Sequence, residues 1–309
     1  MQTAAKFFLL LCLTLLGGCV AVQRVGMEIL YTKAPFPEAQ IGRDVAYKSD
    51  STSAKHRLDL YLPATKRWPV MVFVHGGGWV SGDKALRFGG QDVYGNIGRF
   101  YAARGIGVAV ISYRLQPQVT WREQVDDVAE AAAWAKNHIA SYGGDPSRIF
   151  IAGHSAGAHL ASFVALNPEV SARHALPRFA GVICVSGAAL DLVDQETYRL
   201  GNRVSYYAKL FGGDGSNPNW QRDASPATYA RPGSPPFLIL YAEGETAALR
   251  RQATHFHEIL DGKGVRNRIV AVPGESHARM VLALSRADKT AGPAILDFIG
   301  AGRGSVPAE

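Results

Sequence analysis

The chain has 309 residues, 47% hydrophobic and 19% charged, with a formal net charge of +7. That balance suits one large globular domain and leaves no repeat array, low-complexity tract or interdomain linker to explain. The positive charge is spread along the chain rather than gathered into a basic stripe, and no nucleic-acid motif accompanies it, so it reads as surface charge and no nucleic-acid partner is expected.

At the N-terminus, Lys6 precedes the apolar stretch 7–16, and Gly17-Gly18 lead into Cys19. This reads as a secretory signal, too short to span a bilayer. Leu16-Gly17-Gly18-Cys19 resembles a bacterial lipobox, in which the cysteine becomes the lipidated first residue. The expected boundaries are a signal peptide over 1–18, a lipidated tether over 19–39, a globular domain over 40–300 and a tail over 301–309. A lipid on Cys19 would hold the domain to a membrane surface while leaving it in water, with the outer membrane and periplasm as the expected location. Cys12 would leave with the signal, so Cys184, in an apolar run, would be the free cysteine and no disulfide could form within the mature chain.

Eight strands are predicted next, at 44–48, 57–62, 70–74, 107–113, 148–152, 180–185, 236–242 and 268–272. The first two alternate, with Leu58, Leu60 and Leu62 on one face, as an antiparallel edge pair does. The later runs are continuously apolar, as parallel strands covered on both faces are. Helices are predicted over 156–166, over 246–260 and after His277. Val125, Val128, Ala132, Ala135 and Ile139 add an apolar helical stripe. Alternating strands and helices imply a mostly parallel eight-stranded sheet with helices on both faces. The connection 188–235 is too long for a structureless loop and should carry helices of its own, as a small cap-like insertion.

Two motifs carry chemistry. Gly153-His154-Ser155-Ala156-Gly157 ends a strand and opens a helix, the setting of a nucleophile elbow. Taken singly it also fits a glycine-softened helix N-cap at Ser155. His75-Gly76-Gly77-Gly78-Trp79 follows another strand, where a glycine turn lets backbone amides approach a developing oxyanion. A merely flexible turn is the plainer alternative there. Found together and in this order, the two motifs favour a serine hydrolase.

With HGGGWVSGDK (75–84), ISYRL (111–115), YGGDPSRIFIAGHSAGAHLA (142–161), SGAALDL (186–192), DASP (223–226) and RRQA (250–253), the chain resembles the α/β-hydrolase superfamily. Within it, the resemblance is to the HGGGW/GxSxG esterase and lipase group, in its carboxylesterase, kynurenine-formamidase-like and isoprenylcysteine-methylesterase-like branch. The resemblance covers roughly residues 40 to 300. It implies an α/β-hydrolase fold and oxyanion donors from Gly77, Gly78 and Ala156. It also implies triad partners in the order serine, acid, histidine. His277 follows the last strand, where the family places its base, whereas His159, His174, His255 and His257 fall in helices or a loop elsewhere. No aspartate follows strand 236–242. Glu245 stands at the usual aspartate position relative to Arg251-Gln252, and Glu243 is expected to face away. Asp191 and Asp145 read as turn or capping residues, and Asp83 as ordering the glycine turn. Trp79 and His154 are candidate pocket residues. In the family the long insertion often helps roof the pocket, so Tyr198, Tyr206, Tyr207, Phe211 and Trp220 would either roof it or anchor the loop.

The implied activity is hydrolysis of small to medium carboxylic esters by a Ser155–His277–Glu245 triad. The alternatives are an arylformamidase or amidase using the same machinery, or a non-catalytic binding lipoprotein. No metal-ligand spacing is present, and neither metal nor cofactor is expected.

Overall fold

The structure is a computed structural model that describes residues 31–300 apart from Gly89 and Asn202. The expected signal peptide, Cys19, most of the tether and the tail lie outside the described residues. Strands β1 (Ile41–Ala46), β2 (Arg57–Tyr61), β3 (Trp68–Val74), β4 (Gly107–Ile111), β5 (Gly144–His154), β6 (Gly181–Val185), β7 (Phe237–Ala242) and β8 (Asn267–Val272) form one sheet. Its order is β1-β2-β4-β3-β5-β6-β7-β8. β2 runs antiparallel to both neighbours, and all other pairs are parallel. Every residue of β3 is buried. Val70, Val72 and Val74 face one core and Met71 and Phe73 the other, because successive side chains leave a strand on opposite faces. Each such side chain removed from water contributes about 1.5–3 kcal/mol.

The helices are α1 (Val93–Ala102), α2 (Trp121–His138), α3 (Ala156–Leu166), α4 (Pro168–Arg173), α5 (Gln195–Gly201), α6 (Val204–Phe211), α7 (Trp220–Ala224), α8 (Ala247–Gly262), α9 (Met280–Ala283) and α10 (Ala291–Ile299). α2, α3 and α8 cover one face through Val125, Val128, Leu160 and Phe256. α1 and α10 cover the other through Ile97, Phe100, Ile295 and Ile299. α2 opens with a complete capping box between Thr120 and Glu123, which satisfies free amides at both residues. The long insertion carries α5, α6 and α7 and a 3-10 turn over Pro226–Tyr229. Among the described residues no helix is long and apolar enough to cross a membrane.

β1 and β5 differ in bounds from the sequence expectation, and α1 has no counterpart in it. β5 runs over Gly144–His154 rather than 148–152, which carries it directly into the residue before Ser155. The polar face of β2 is covered. Asp59 is 3% exposed, and Arg43 and Lys84 reach its carboxylate at 2.8 and 2.9 Å. An alternating pattern marks the polar face but not what lies over it.

Candidate active site

In the parallel part of the sheet, the C-terminal strand ends bring the expected site residues to one end of the molecule. β5 delivers Ser155 at φ 56° and ψ −119°, with its amide donating to the Val185 carbonyl at 2.9 Å. A left-handed φ on a non-glycine residue costs on the order of 1–3 kcal/mol and persists only where the surroundings enforce it. Both flanking glycines are obligatory. A Cβ on Gly153 would stand 2.3 Å from the Gly157 backbone, and one on Gly157 would stand 2.2 Å from the Val74 carbonyl oxygen. The elbow is thereby wedged against the end of β3.

The glycine turn leaves that same strand end. A Cβ on Gly76 would lie 3.4 Å from the Ser155 Cβ, so the turn passes beside the serine. Gly77 and Gly78 take φ +120° and +61°. The Gly77 carbonyl accepts from the amides of Val80 and Ser81 and from the Ser81 hydroxyl, which closes the turn. Among the described residues the amides of Gly77, Gly78 and Ala156 have no acceptor. Unpaired amides beside a serine hydroxyl suit a ligand oxygen. Asp83 orders the loop beyond, accepting from Lys55 at 2.7 Å and from the Ala85 amide at 3.0 Å.

His277, in the loop after β8, places Nε2 2.9 Å from Ser155 Oγ, across 122 residues of sequence. Its Nδ1 faces Glu245 Oε1 at 3.4 Å. The carboxylate beside Nδ1 selects the tautomer protonated there, which leaves Nε2 to accept the serine proton. The Glu245 side chain is fully buried, and neither oxygen has a hydrogen-bond donor among the described residues. Nδ1–Oε1 is longer than a formed hydrogen bond, as catalytic pairs often are before substrate arrives. The backbone holds the two loops together. The Gly244 amide donates to the Glu275 carbonyl, the Glu243 amide to the Val272 carbonyl, and Arg250 to the carbonyls of Glu243 and Glu245. The Glu243 side chain is exposed. Asp191 pairs with His255 at 3.2 Å, and Asp145 accepts from the Ser147 amide and hydroxyl in a turn.

The family model BD-FAE matches residues 58–260. The chain belongs to the BD-FAE family. It is an α/β-hydrolase of the esterase group, and His277 lies beyond the matched stretch. Esterase LipQ of Mycobacterium tuberculosis is 30% identical over 77% of this chain and 56% of its own length. Isoprenylcysteine alpha-carbonyl methylesterase ICME of Arabidopsis thaliana is 39% identical over 41% of this chain and 28% of its own length. The chain thus spans little more than half the length of the first of these relatives and under a third of the second. Among solved structures, an inhibited esterase B from Lactobacillus rhamnosis superposes with a TM-score of 0.72. It covers 94% of this chain and 96% of its own at 22% identity, a likeness of fold.

Within this BD-FAE domain the two candidate pocket residues have other surroundings. Trp79 is 2% exposed at φ 65°. Its indole N–H donates to His159 Nδ1 at 3.2 Å, and its ring packs edge-on against Tyr207 and Phe211 of α6. It therefore anchors the insertion beneath the turn. His159, buried with its pKa pushed down to about 4 by desolvation, passes a second bond to the Ala224 carbonyl at 2.8 Å. His154 is 6% exposed and turned toward the His277 loop, not toward solvent. Of the aromatics in the insertion, Tyr198, Tyr207 and Phe211 are buried anchors. Tyr206 is half-buried and donates its hydroxyl to the Gly78 carbonyl at 3.0 Å. No local pattern announces that contact, since its partners lie 128 residues apart.

Proposed function

We propose that this chain hydrolyses carboxylic esters, with Ser155 as nucleophile, His277 as general base and acid, and Glu245 as the triad acid. The observation that carries this reading is the left-handed Ser155 with its hydroxyl 2.9 Å from His277 Nε2 and a buried, donor-free carboxylate behind Nδ1. Ser155 Oγ attacks the ester carbonyl as His277 takes its proton, giving a tetrahedral oxyanion held by the amides of Gly77, Gly78 and Ala156. Collapse expels the alkoxide, which leaves as the alcohol with the proton from His277 Nε2–H. Water, deprotonated by the same nitrogen, attacks the acyl-serine; the acid departs and the proton returns to Ser155. Glu245 has no counter-charge until His277 becomes imidazolium, so its stabilisation is concentrated in the steps that form that cation.

Ester cleavage also stands in the names of the relatives, as a methylesterase in ICME and an esterase in LipQ. For this chain the substrate class we propose is small to medium, water-soluble esters. Labelling with a fluorophosphonate tests the reading: the mass adduct should fall on Ser155 and vanish in Ser155→Ala. An unmodified Ser155 in folded protein would leave a binding module. Within a panel of p-nitrophenyl esters, acetate and butyrate should turn over faster than long-chain emulsified esters, and the reverse order would overturn the substrate class.

We also propose that Cys19 is lipidated and holds the domain to a membrane, on the strength of the apolar stretch and Leu16-Gly17-Gly18-Cys19. Cys19→Ser should release the folded hydrolase into the soluble fraction. A variant that stays membrane-bound with its signal uncleaved would make the apolar stretch an anchor instead.

A further inference from the structure

His154 is the residue before the nucleophile, and three parts of the site meet on its ring. Its Nε2–H donates to the main-chain carbonyl of His277 at 3.0 Å, across 123 residues of sequence. No other donor among the described residues reaches that carbonyl. The ring lies 4.9 Å from the His277 ring, centroid to centroid. On its far side, a Cβ on Gly76 would stand 3.0 Å from His154 Nδ1 and equally close to the His154 carbonyl oxygen. The ring is therefore in contact with the glycine turn, covalently next to Ser155, and bonded to the backbone of the base.

We infer that His154 is a positioning residue, whose Nε2–H fixes the main chain of His277 and so sets where His277 Nε2 stands relative to Ser155 Oγ. This rests on the Ser155–His277–Glu245 reading above. The loop from 273 to 279 has few other ties near the base. The Glu275 carbonyl receives the Gly244 amide, and the Glu275 carboxylate is held by Lys289 at 3.1 Å and Arg279 at 3.4 Å. The Met280 amide, donating to the Ser276 carbonyl at 2.9 Å, closes a turn across the base, and the His154 bond ties the base's own carbonyl to the elbow. Misplacement of a reacting group by about 1 Å costs roughly 10²-fold in rate. A carbonyl acceptor also requires a proton on His154 Nε2. Desolvation, with the neighbouring His277 second, pushes the His154 pKa down to about 3. A second positive charge beside the imidazolium that forms on His277 is thereby avoided.

The test compares His154→Phe, which keeps a ring and loses the donor, with His154→Gln, which restores an N–H at similar reach. His154→Met serves as a flexible donor-free variant should the phenylalanine not fold. The donor-free variants, folded by circular dichroism and thermal melt, should lose about 10²-fold in kcat with KM little changed, and His154→Gln should recover most of that loss. Wild-type kcat in a folded donor-free variant would overturn the inference. A rise in KM at constant kcat would overturn it too, assigning the ring to the pocket. Ser155→Ala separates the two levels: turnover surviving in that variant removes the underlying reading, whereas a dead Ser155→Ala beside a fully active His154→Phe removes only the role of His154.

Discussion

A second chain of serine, histidine and carboxylate lies elsewhere in this molecule. Ser51 donates its hydroxyl to His56 Nδ1, and His56 Nε2–H donates to Asp127 Oδ1 at 3.0 Å. By residue type it matches Ser155–His277–Glu245, but three physical differences separate them. Asp127 is saturated: the Arg114 amide reaches it at 2.9 Å and the guanidinium at 2.7 Å, so its charge is neutralised before His56 is counted. Glu245 has no such donors. Ser51 takes no left-handed backbone and its oxygen already accepts the Ser53 amide at 3.1 Å, whereas Ser155 is forced outward at φ 56°. No glycine turn with free amides stands beside Ser51, and one stands beside Ser155. The Ser51 set pins the 47–56 segment to α2, and the Ser155 set keeps a buried carboxylate without other donors behind the His277 ring. Residue types in serine–histidine–acid order therefore do not by themselves set the two apart; the backbone around the serine and the donors on the acid do.

Paired substitutions can break that comparison. Removing the nucleophile should give the largest effect. Ser155→Ala is expected to lower kcat by about 10⁶-fold, leaving the residual rate that binding and oxyanion donors supply, while Ser51→Ala changes kcat less than twofold. Initial rates on p-nitrophenyl acetate would decide, and comparable losses in both variants would make the two sets equivalent.

The acids come next. Glu245→Gln leaves His277 without its orienting charge and should cost about 10⁴-fold in kcat, with Tm scarcely moved or raised, since an unpaired buried carboxylate is removed. Asp127→Asn should do the opposite. It strips a buried pair of one partner at a cost of about 3 kcal/mol, which melts a domain of this size several degrees lower, and kcat should hold. Activity lost on Glu243→Gln instead would show the exposed glutamate to be the working acid.

How much of this was legible in the sequence follows from where each interaction closes. The parallel strands announce themselves because both faces are buried, and the elbow and the glycine turn because their glycines answer clashes with nearby backbone. α1 is not legible. Gly95 and Gly98 read as helix breakers, yet a Cβ on Gly98 would stand 2.3 Å from the Tyr61 ring, so the glycine is there to let α1 lie against β2. Glu245 was reachable through its distance from Arg251-Gln252, and the structure adds the reason for that spacing: Gln252 exchanges hydrogen bonds with the Asp191 backbone and registers α8 against the loop after β6. The contacts of His154 and Trp79 are not legible because their partners, His277 and His159, lie 123 and 80 residues away. A motif names its residues but does not say which way they turn.

The buried histidines set an intermediate expectation. His75, His154 and His159 have pKa values pushed down by burial to about 4, 3 and 4. In the unfolded chain each would take up a proton near its ordinary value of about 6.5. Folding stability is therefore fully present above that pH and drains as pH falls toward 4, where the unfolded state binds protons the folded state refuses. The slope is about 1.4 kcal/mol per pH unit for each ring. Tm measured from pH 8 to pH 4 should stay level at first and then drop below about 6.5. A Tm that rises on acidification would mean that these rings are charged in the folded protein.

The smallest expected effect tests how far the insertion reaches into the chemistry. Tyr206 stands on α6 and donates to the Gly78 carbonyl, and a Cβ on Gly78 would lie 2.8 Å from its hydroxyl, so the ring rests directly on the turn. The hydroxyl is half-buried, and water can replace it as a donor once it is gone. One neutral hydrogen bond contributes about 1 kcal/mol to stability, so Tyr206→Phe should lower Tm by a few degrees at most and kcat by no more than roughly fivefold. The turn is also closed from within by Val80 and Ser81, which should keep Gly77 and Gly78 in place without help from α6. A loss approaching that of Glu245→Gln would overturn this ranking. It would mean that the turn holds its geometry only when the insertion is seated on it, and that α6 belongs to the oxyanion site and not to its rim.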